Sequence, residues 1–129
     1  MLTAIPSLYV APSEKGGRGV FTSASILQGA KIESSPVIVL PGKDRQKIHA
    51  TLLHDYYFIW GEQDDKCAIV LGYGSIYNHQ YEPNAEYEPD FTGNTLHFYA
   101  LRDIKAGEEI TVNYSGDPEG RINLWFEQK

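Results

Sequence analysis

Residues 78–84 read Asn-His-Gln-Tyr-Glu-Pro-Asn, and residues 107–114 read Gly-Glu-Glu-Ile-Thr-Val-Asn-Tyr. An Asn-His pair followed after three residues by Pro-Asn is unusual for a plain strand. A strand that follows an acidic turn and ends in Tyr is common by itself. Both segments together, in this order and within 129 residues, indicate one particular fold rather than generic β-structure.

Around these two segments, short β-type runs alternate with glycine and proline, which act as turn residues. Residues 37–40 form a continuous apolar run that predicts a buried strand. One stretch alone, from Lys43 to about Tyr56, predicts a helix, because Ile48, Leu52 and Tyr56 recur at a spacing of four. The pattern therefore predicts a mainly β domain with one inserted helix. Further strands are expected at 8–10, 20–22, 31–33, 67–71, 85–88, 95–101 and 109–114.

Length and composition exclude several classes of protein. A chain of 129 residues predicts a single domain over 1–129. The single cysteine, Cys67, excludes an intramolecular disulfide, a Cys-only zinc site and an iron–sulfur cluster. Eleven basic against 17 acidic residues give a net charge of −6, which argues against a general nucleic-acid binder. No apolar run approaches the roughly 18 residues of a membrane span, and no signal-peptide pattern is present. We therefore expect a soluble intracellular protein with no direct contact to nucleic acid or membrane.

Several local patterns have a structural and a chemical interpretation. The glycines of residues 15–19 precede a β-type run, so they fit neither a dinucleotide fingerprint nor a P-loop and predict a tight turn. The adjacent Glu108-Glu109 side chains would point to opposite faces of a strand, which argues against an acid pair for glycoside hydrolysis. The histidines show no metal-binding spacing, and no metal is expected. A run of acidic residues is either a solvated edge or a lip that attracts a cationic substrate. It consists of Glu82, Glu86, Glu88 and Asp90.

The order of these segments resembles the SET domain, the catalytic domain of a large class of protein-lysine methyltransferases. The resemblance is colinear from about Leu8 to Tyr114. Residues 17–19, Gly-Arg-Gly, resemble the family's G-x-G turn. Residues 78–84 resemble its Asn-His-Ser-x-x-Pro-Asn segment, and residues 107–114 its Gly-Glu-Glu-(Leu/Ile)-Thr-x-x-Tyr segment. The resemblance implies a fold of short, β-clip-like sheets with a pseudoknot and one inserted helix.

The resemblance also implies S-adenosyl-L-methionine as the cofactor, with no metal. The backbone of Gly17, Arg18 and Gly19 would line the methionine part of this cofactor. Asn78 would hold its amine, and His79 its adenine, the latter largely through backbone groups.

Two tyrosines are assigned to catalysis by the same resemblance. Tyr114 would be the catalytic tyrosine where the cofactor pocket meets a lysine channel, and Tyr87 would be a second channel tyrosine. Residues 115–129 would close over the cofactor, with Trp125 or Phe126 packing on the adenine or the channel. Docking of this tail onto the core is the alternative for these two aromatic residues.

Two residues depart from the family pattern. Gln80 stands where Ser is usual, and Val112 where Phe or Tyr often tunes the number of methyl groups added.

The resemblance implies a lysine-bearing, basic substrate such as a histone-like tail or ribosomal protein. A non-catalytic module that binds a protein or the cofactor is the main alternative, and a carbohydrate-acting β protein is a weaker one. We expect a cytoplasmic location for a bacterial protein and a nuclear one for a eukaryotic or viral protein, and a homodimer stays an open alternative.

Overall fold

The computed structural model describes residues 4–114, without the side chain of Asp55. Within these residues one short α-helix, α1 (Arg45–His49), is flanked by single 3-10 turns at Gly42–Asp44 and Leu52–Asp55. The rest of the regular structure consists of strands: β1 (Leu8–Pro12), β2 (Arg18–Thr22), β3 (Lys31–Pro41), β4 (Tyr57–Trp60), β5 (Lys66–Val70), β6 (Asn78–His79), β7 (Ala85–Asp90), β8 (Thr95–Ala100) and β9 (Glu109–Val112).

The strands form two sheets. One sheet has the order β1-β2-β9-β6, and the other has the order β4-β5-β3-β8-β7. All pairs are antiparallel except β6 with β9, which run parallel. The mainly β architecture with one inserted helix is therefore confirmed.

Strand β9 brings distant parts of the chain together. It lies between β2, where Val20 pairs with Ile110, and β6, where His79 pairs with Val112. The ladder extends one residue beyond β6, where the N–H of Gln80 donates to the carbonyl of Val112 at 2.9 Å. Strand β9 thus joins two segments that lie far apart in the sequence, and the pseudoknot stays a prediction.

A single apolar core lies between the sheets. Inward-facing residues of β8 alternate with half-buried ones, so Leu96, Phe98 and Ala100 are buried. Val20, Ile110 and other buried residues of the first sheet join the same cluster. The site described below is built on this cluster.

The predicted helix from Lys43 to Tyr56 is wrong in extent. The α-helix ends at His49, because Thr51 adopts an extended conformation and its hydroxyl accepts from the N–H of Leu53 at 3.1 Å. This cap starts a separate 3-10 turn. Leu52 is 81% exposed, so the apolar spacing of four does not mark a core-facing side here.

The two strands expected at 31–33 and 37–40 form one strand, β3. Pro36 lies within this strand, at a position where the sheet partner changes from β8 to β5. Since each half pairs with a different strand, the missing N–H of proline interrupts neither ladder in its middle.

Candidate active site

Three segments meet around Glu109, the first residue of β9. The side-chain amide of Asn78 donates to Oε2 of Glu109 at 2.8 Å and to the carbonyl of Arg18 at 3.1 Å. The hydroxyl of Ser13 donates to Oε1 of the same carboxylate at 2.7 Å. The carboxylate therefore ties the glycine turn before β2 to the first residue of β6.

The glycines of this turn are required by geometry. Gly17 has a φ of +62°, in the left-handed region that favours glycine, and the space beside its Cα is open. A Cβ on Gly19 would collide with the carboxylate of Glu109 and lie 3.0 Å from Nδ2 of Asn78. Gly19 thus allows Asn78 and Glu109 to pack against the backbone.

Two buried polar atoms at this place have no hydrogen-bond partner among residues 4–114. They are Oδ1 of Asn78 and Nε2 of His79, and both side chains are buried. An unsatisfied buried polar group costs about 1–3 kcal/mol. Each of these two atoms is therefore a candidate for a ligand contact, with Asn78 offering an acceptor and His79 a ring nitrogen on the other side of the strand.

The histidine ring is held in one tautomer. Its Nδ1 accepts from the N–H of Tyr114 at 3.0 Å, so the proton of the neutral ring lies on Nε2. Burial lowers the pKa of His79 from its ordinary value of 6.5, and the charge of Lys15 lowers it further. His79 is thus a neutral side chain with a free N–H donor.

The backbone of His79 faces the open edge of the sheet. Strand β6 is the edge strand of the order β1-β2-β9-β6 within the described residues. Because Gln80 donates to β9 and alternate residues of a strand point to opposite sides, the N–H and C=O of His79 point away from β9. This edge can hydrogen-bond a planar group such as a purine.

Tyr114 is fixed at three points. Its N–H bonds to His79, and its hydroxyl donates to the carbonyl of Tyr77 at 2.9 Å. Its own carbonyl accepts from the hydroxyl of Tyr87 at 3.1 Å. The two tyrosines assigned to catalysis are therefore in direct contact.

Tyr87 lies in an aromatic wall. Its ring centroid is 5.3 Å from that of Phe58 and 5.9 Å from that of Phe98. Burial raises the pKa of the Tyr87 hydroxyl well above its ordinary value, so this group stays protonated. Its hydroxyl supports the backbone of Tyr114, and its ring adds an apolar surface beside it.

The sequence profile of the SET domain family matches residues 17–115. The chain belongs to the SET domain family. Its fold, its three motifs and its class, protein-lysine N-methyltransferase, agree with the resemblance described above, and the carbohydrate-acting alternative is wrong.

Relatives of this SET domain include histone methyltransferases. A Schizosaccharomyces pombe histone-lysine N-methyltransferase, named as specific for H3 lysine-37, is 36% identical over 124 residues, which are 95% of this chain and 78% of that protein. The Caenorhabditis elegans histone-lysine N-methyltransferase Suv4-20 is 31% identical over 99 residues, 75% of this chain but 34% of that protein. The chain thus spans about a third of the longer relative.

Solved structures of similar fold support the same assignment. A crystal structure from Plasmodium falciparum, named as a histone methyltransferase, is 30% identical, has a TM-score of 0.65, and the match covers 84% of this chain and 92% of that one. A chain of the Chaetomium thermophilum Polycomb Repressive Complex 2 is 21% identical, with a TM-score of 0.72, and the match covers 86% of this chain and 15% of that one. The latter likeness shows the fold alone.

The SET motifs converge in the structure with one exception. The glycine turn at 17–19, Asn78, His79 and Tyr114 lie together, and Tyr87 adjoins Tyr114. Trp125 and the closing segment 115–129 lie outside the described residues, so their role stays a prediction. No group of three or more His, Cys, Asp or Glu that could hold a metal occurs in residues 4–114.

The two departures from the SET pattern differ in their surroundings. The side chain of Gln80 is exposed, and its backbone N–H makes the bond to β9. Having Gln here in place of the family's Ser therefore leaves the strand pairing intact. Val112 is fully buried two residues before Tyr114.

Sequence reasoning missed three residues of this SET domain. Glu109 was considered only as half of an acid pair, yet it orients Asn78. Asn84 is buried and bonds β9 twice, donating to the carbonyl of Glu109 and accepting from the N–H of Thr111, both at 2.8 Å. Glu33 is a buried carboxylate in β3, for which the sequence analysis gave no role. The Pro-Asn end of the segment 78–84 was the signal that could have identified Asn84.

One open groove lies elsewhere. It has a volume of about 680 Å³ and runs between α1 and β4, with Lys43, Arg45, His49 and Tyr57 among its lining residues. It shares no residue with the SET motifs. No helix in the described part of the chain is long and apolar enough to cross a membrane.

Proposed function

We propose that this SET domain uses S-adenosyl-L-methionine to methylate a lysine ε-amine of histone H3. The observation that carries the proposal is the pair of orphaned buried atoms, Oδ1 of Asn78 and Nε2 of His79, beside an open glycine turn and next to Tyr114.

The residues present fit the cofactor. Oδ1 of Asn78 is an acceptor suited to the ammonium group of the methionine part. The Nε2 proton of His79 and the free edge of its backbone suit the nitrogens of an adenine. The open space at Gly17 lets the backbone approach the ligand closely. When bound, S-adenosyl-L-methionine supplies an electrophilic methyl group on a sulfonium.

The chain must present a neutral lysine to this methyl group. Lysine has a reference pKa near 10.4, so roughly one side chain in two thousand is neutral at pH 7. An apolar channel disfavours the ammonium and lowers the pKa of the lysine. Tyr87, Phe58 and Phe98 provide aromatic surface of this kind next to Tyr114.

Tyr114 orients the amine in this proposal. Its hydroxyl donates to the carbonyl of Tyr77, and a phenolic oxygen that donates one hydrogen bond can also accept an amine hydrogen. Such a contact directs the nitrogen lone pair along the line of displacement, and alignment supplies several kcal/mol of the barrier. Before the nitrogen can act as a nucleophile, the lysine ammonium loses one proton to solvent or along a water path.

A histone substrate is supported by the relatives and by charge. The relatives named above act on histone lysines by name, and one is named for H3 lysine-37. The net charge of −6 favours association with a basic protein tail. A nuclear location is part of the same proposal, and the homodimer stays a prediction.

Cofactor binding is tested by calorimetry with S-adenosyl-L-methionine. We expect wild-type binding, and a loss of at least tenfold in affinity for Asn78→Ala, because the acceptor for the ammonium is removed. The matched control Gln80→Ala, at an exposed neighbour, should bind as wild type does. Absence of binding by the wild-type chain would contradict the cofactor assignment.

Transfer is tested with tritiated cofactor, recombinant histone octamer and free H3. We expect tritium label in H3. If H3 in which lysine-37 is replaced by arginine takes up no label, lysine-37 is the methylated residue. Label confined to H4, or to another basic protein, would overturn the choice of H3. Cofactor binding without label in any basic protein would support the non-catalytic module.

The role of Tyr114 is tested by Tyr114→Phe. We expect kcat to fall by about 10²-fold or more while cofactor affinity stays within twofold, since the hydroxyl acts on the reacting amine. Tyr57→Phe removes a tyrosine hydroxyl that bonds His49 in the distant groove, and it should retain wild-type kcat. Wild-type kcat in Tyr114→Phe would show that another group orients the amine.

A further inference from the structure

A buried carboxylate lies behind the proposed catalytic tyrosine. Glu33 is 3% exposed and lies in β3, where the register with β8 shifts between Lys31 and Glu33. Bulges of this kind re-aim side chains. Residues 32–35 are all buried, so this part of β3 is covered on both faces and the Glu33 side chain lies inside the domain.

Both oxygens of this carboxylate are engaged by the loop that precedes β6. Oε1 accepts from the hydroxyl of Tyr77 at 2.7 Å, and Oε2 accepts from the N–H of Tyr73 at 2.9 Å. A Cβ on Gly72 would collide with Oε2, so the loop closes tightly on the carboxylate. Burial raises the pKa of Glu33, and these two hydrogen bonds oppose that rise.

The same loop supplies the partner of the catalytic hydroxyl. Tyr77 is 1% exposed, and its ring lies 4.6 Å from that of Phe98. Its side chain bonds Glu33, while its backbone carbonyl accepts from the hydroxyl of Tyr114 at 2.9 Å. One residue thus connects the buried carboxylate to the hydroxyl that faces the reaction.

We propose that Glu33 is a positioning residue, which fixes the Tyr77 carbonyl and through it the orientation of the Tyr114 hydroxyl. The inference rests on the role of Tyr114 in the proposed function. Glu33 touches neither cofactor nor substrate in this scheme. Its contribution therefore falls on kcat rather than on binding, because small displacements of a reacting group cost rate steeply.

The test compares three single variants. Glu33→Ala removes both acceptors, and Tyr77→Phe removes only the donor to Oε1. We expect each to lower kcat about tenfold while KM for H3 and cofactor affinity stay within twofold. Glu33→Gln should recover kcat to within about threefold, because its oxygen can accept from Tyr73 and its amide can donate to the Tyr77 hydroxyl.

Two control variants remove the same chemical groups, a tyrosine hydroxyl and a carboxylate, at other positions. Tyr57→Phe removes a buried tyrosine's hydroxyl away from the site, and Glu62→Ala removes an exposed carboxylate. Both should keep wild-type kcat. If Glu33→Ala fails to fold, Glu33→Gln and Tyr77→Phe carry the comparison, since each keeps the volume of the core.

A double variant separates positioning through Tyr114 from a general structural effect. In a Tyr114→Phe background, Tyr77→Phe should cause no further loss of kcat, because the hydroxyl that uses the carbonyl is already absent. A full additional loss, or wild-type kcat in the single variants, would overturn the inference. If the single variant Tyr114→Phe keeps wild-type kcat, Tyr114 does not orient the amine, and its hydroxyl needs no positioning. If Tyr114→Phe loses kcat but the Glu33 and Tyr77 variants do not, the role of Glu33 is overturned and that of Tyr114 stands.

Discussion

At the scale of single residues, the site depends on side chains that hold each other rather than on side chains that face solvent. Glu109 orients Asn78, and His79 binds the backbone of Tyr114. In the proposed function His79 also contacts the cofactor, whereas Glu109 acts only through Asn78. A residue such as Glu109 can therefore be essential without touching a ligand.

The buried histidine gives the folded state a pH dependence. His79 has a lowered pKa when folded and about 6.5 when unfolded, so the unfolded chain binds more protons between these two values. Its contribution to stability is full above pH 6.5 and is lost as the pH falls through the lowered value. Protonation of Nδ1 would also break its bond to the N–H of Tyr114.

We expect this effect in chemical denaturation at pH 7.5 and pH 5.5. Between these two values the wild type should lose more free energy of unfolding than His79→Asn, whose side chain does not titrate. Gln80→Ala, next to it and exposed, should keep the wild-type difference. Equal pH dependence in wild type and His79→Asn would show that folding does not shift the pKa of His79.

At the scale of elements, β7 combines two surfaces. Tyr87 faces the aromatic wall, while Glu86 and Glu88 alternate with it on the other face of the strand. Asp90 accepts from the N–H of Gly93 at 2.9 Å, so it stabilises the hairpin turn rather than extending the acidic lip. Within the described residues β7 is an edge strand, which leaves its outer backbone open to an extended peptide.

The acidic residues of β7 should therefore affect substrate binding. We expect the double variant Glu86→Gln, Glu88→Gln to raise KM for an H3 peptide about threefold to tenfold at low ionic strength, with kcat unchanged. The difference should shrink at high salt, because exposed charges are screened. An unchanged KM at low salt would favour the solvated-edge interpretation, and Glu62→Gln is the matched control.

Elements also show where sequence patterns succeed and where they fail. The glycine turn at 17–19 and the Asn-His pair, predicted to share one site, lie together in the structure, and their motifs could be read because glycine and Asn-His are distinctive residue types. The helix was extended too far because a spacing of four cannot reveal the cap that Thr51 makes. Glu33 was missed because its burial depends on the loop before β6, about forty residues later in the chain, which packs on its carboxylate.

At the scale of the whole molecule, Asn84 links the two sheets. This buried residue bonds the backbone of β9 at Glu109 and Thr111, and its own N–H donates to the hydroxyl of Thr111 at 3.3 Å. Since Asn84 directly precedes β7 of the other sheet, loss of these bonds should weaken the domain as a unit.

We expect Asn84→Ala to lower the free energy of unfolding by about 2–4 kcal/mol, because it leaves backbone groups of β9 unsatisfied in the interior. Denaturant melts followed by circular dichroism and by tyrosine fluorescence should shift together. Gln80→Ala serves as control. A loss below about 0.5 kcal/mol would show that water replaces these bonds.

The position of β9 also determines when the site can exist during biosynthesis. Asn78 and His79 are translated some thirty residues before their only strand partner in the described chain, so a nascent polypeptide carries the cofactor motif without a sheet to hold it. Strand β2, which continues from the glycine turn, also pairs with β9. In the proposed function, cofactor binding would therefore become available only after β9 has been synthesised, because Asn78 and His79 pair with that strand.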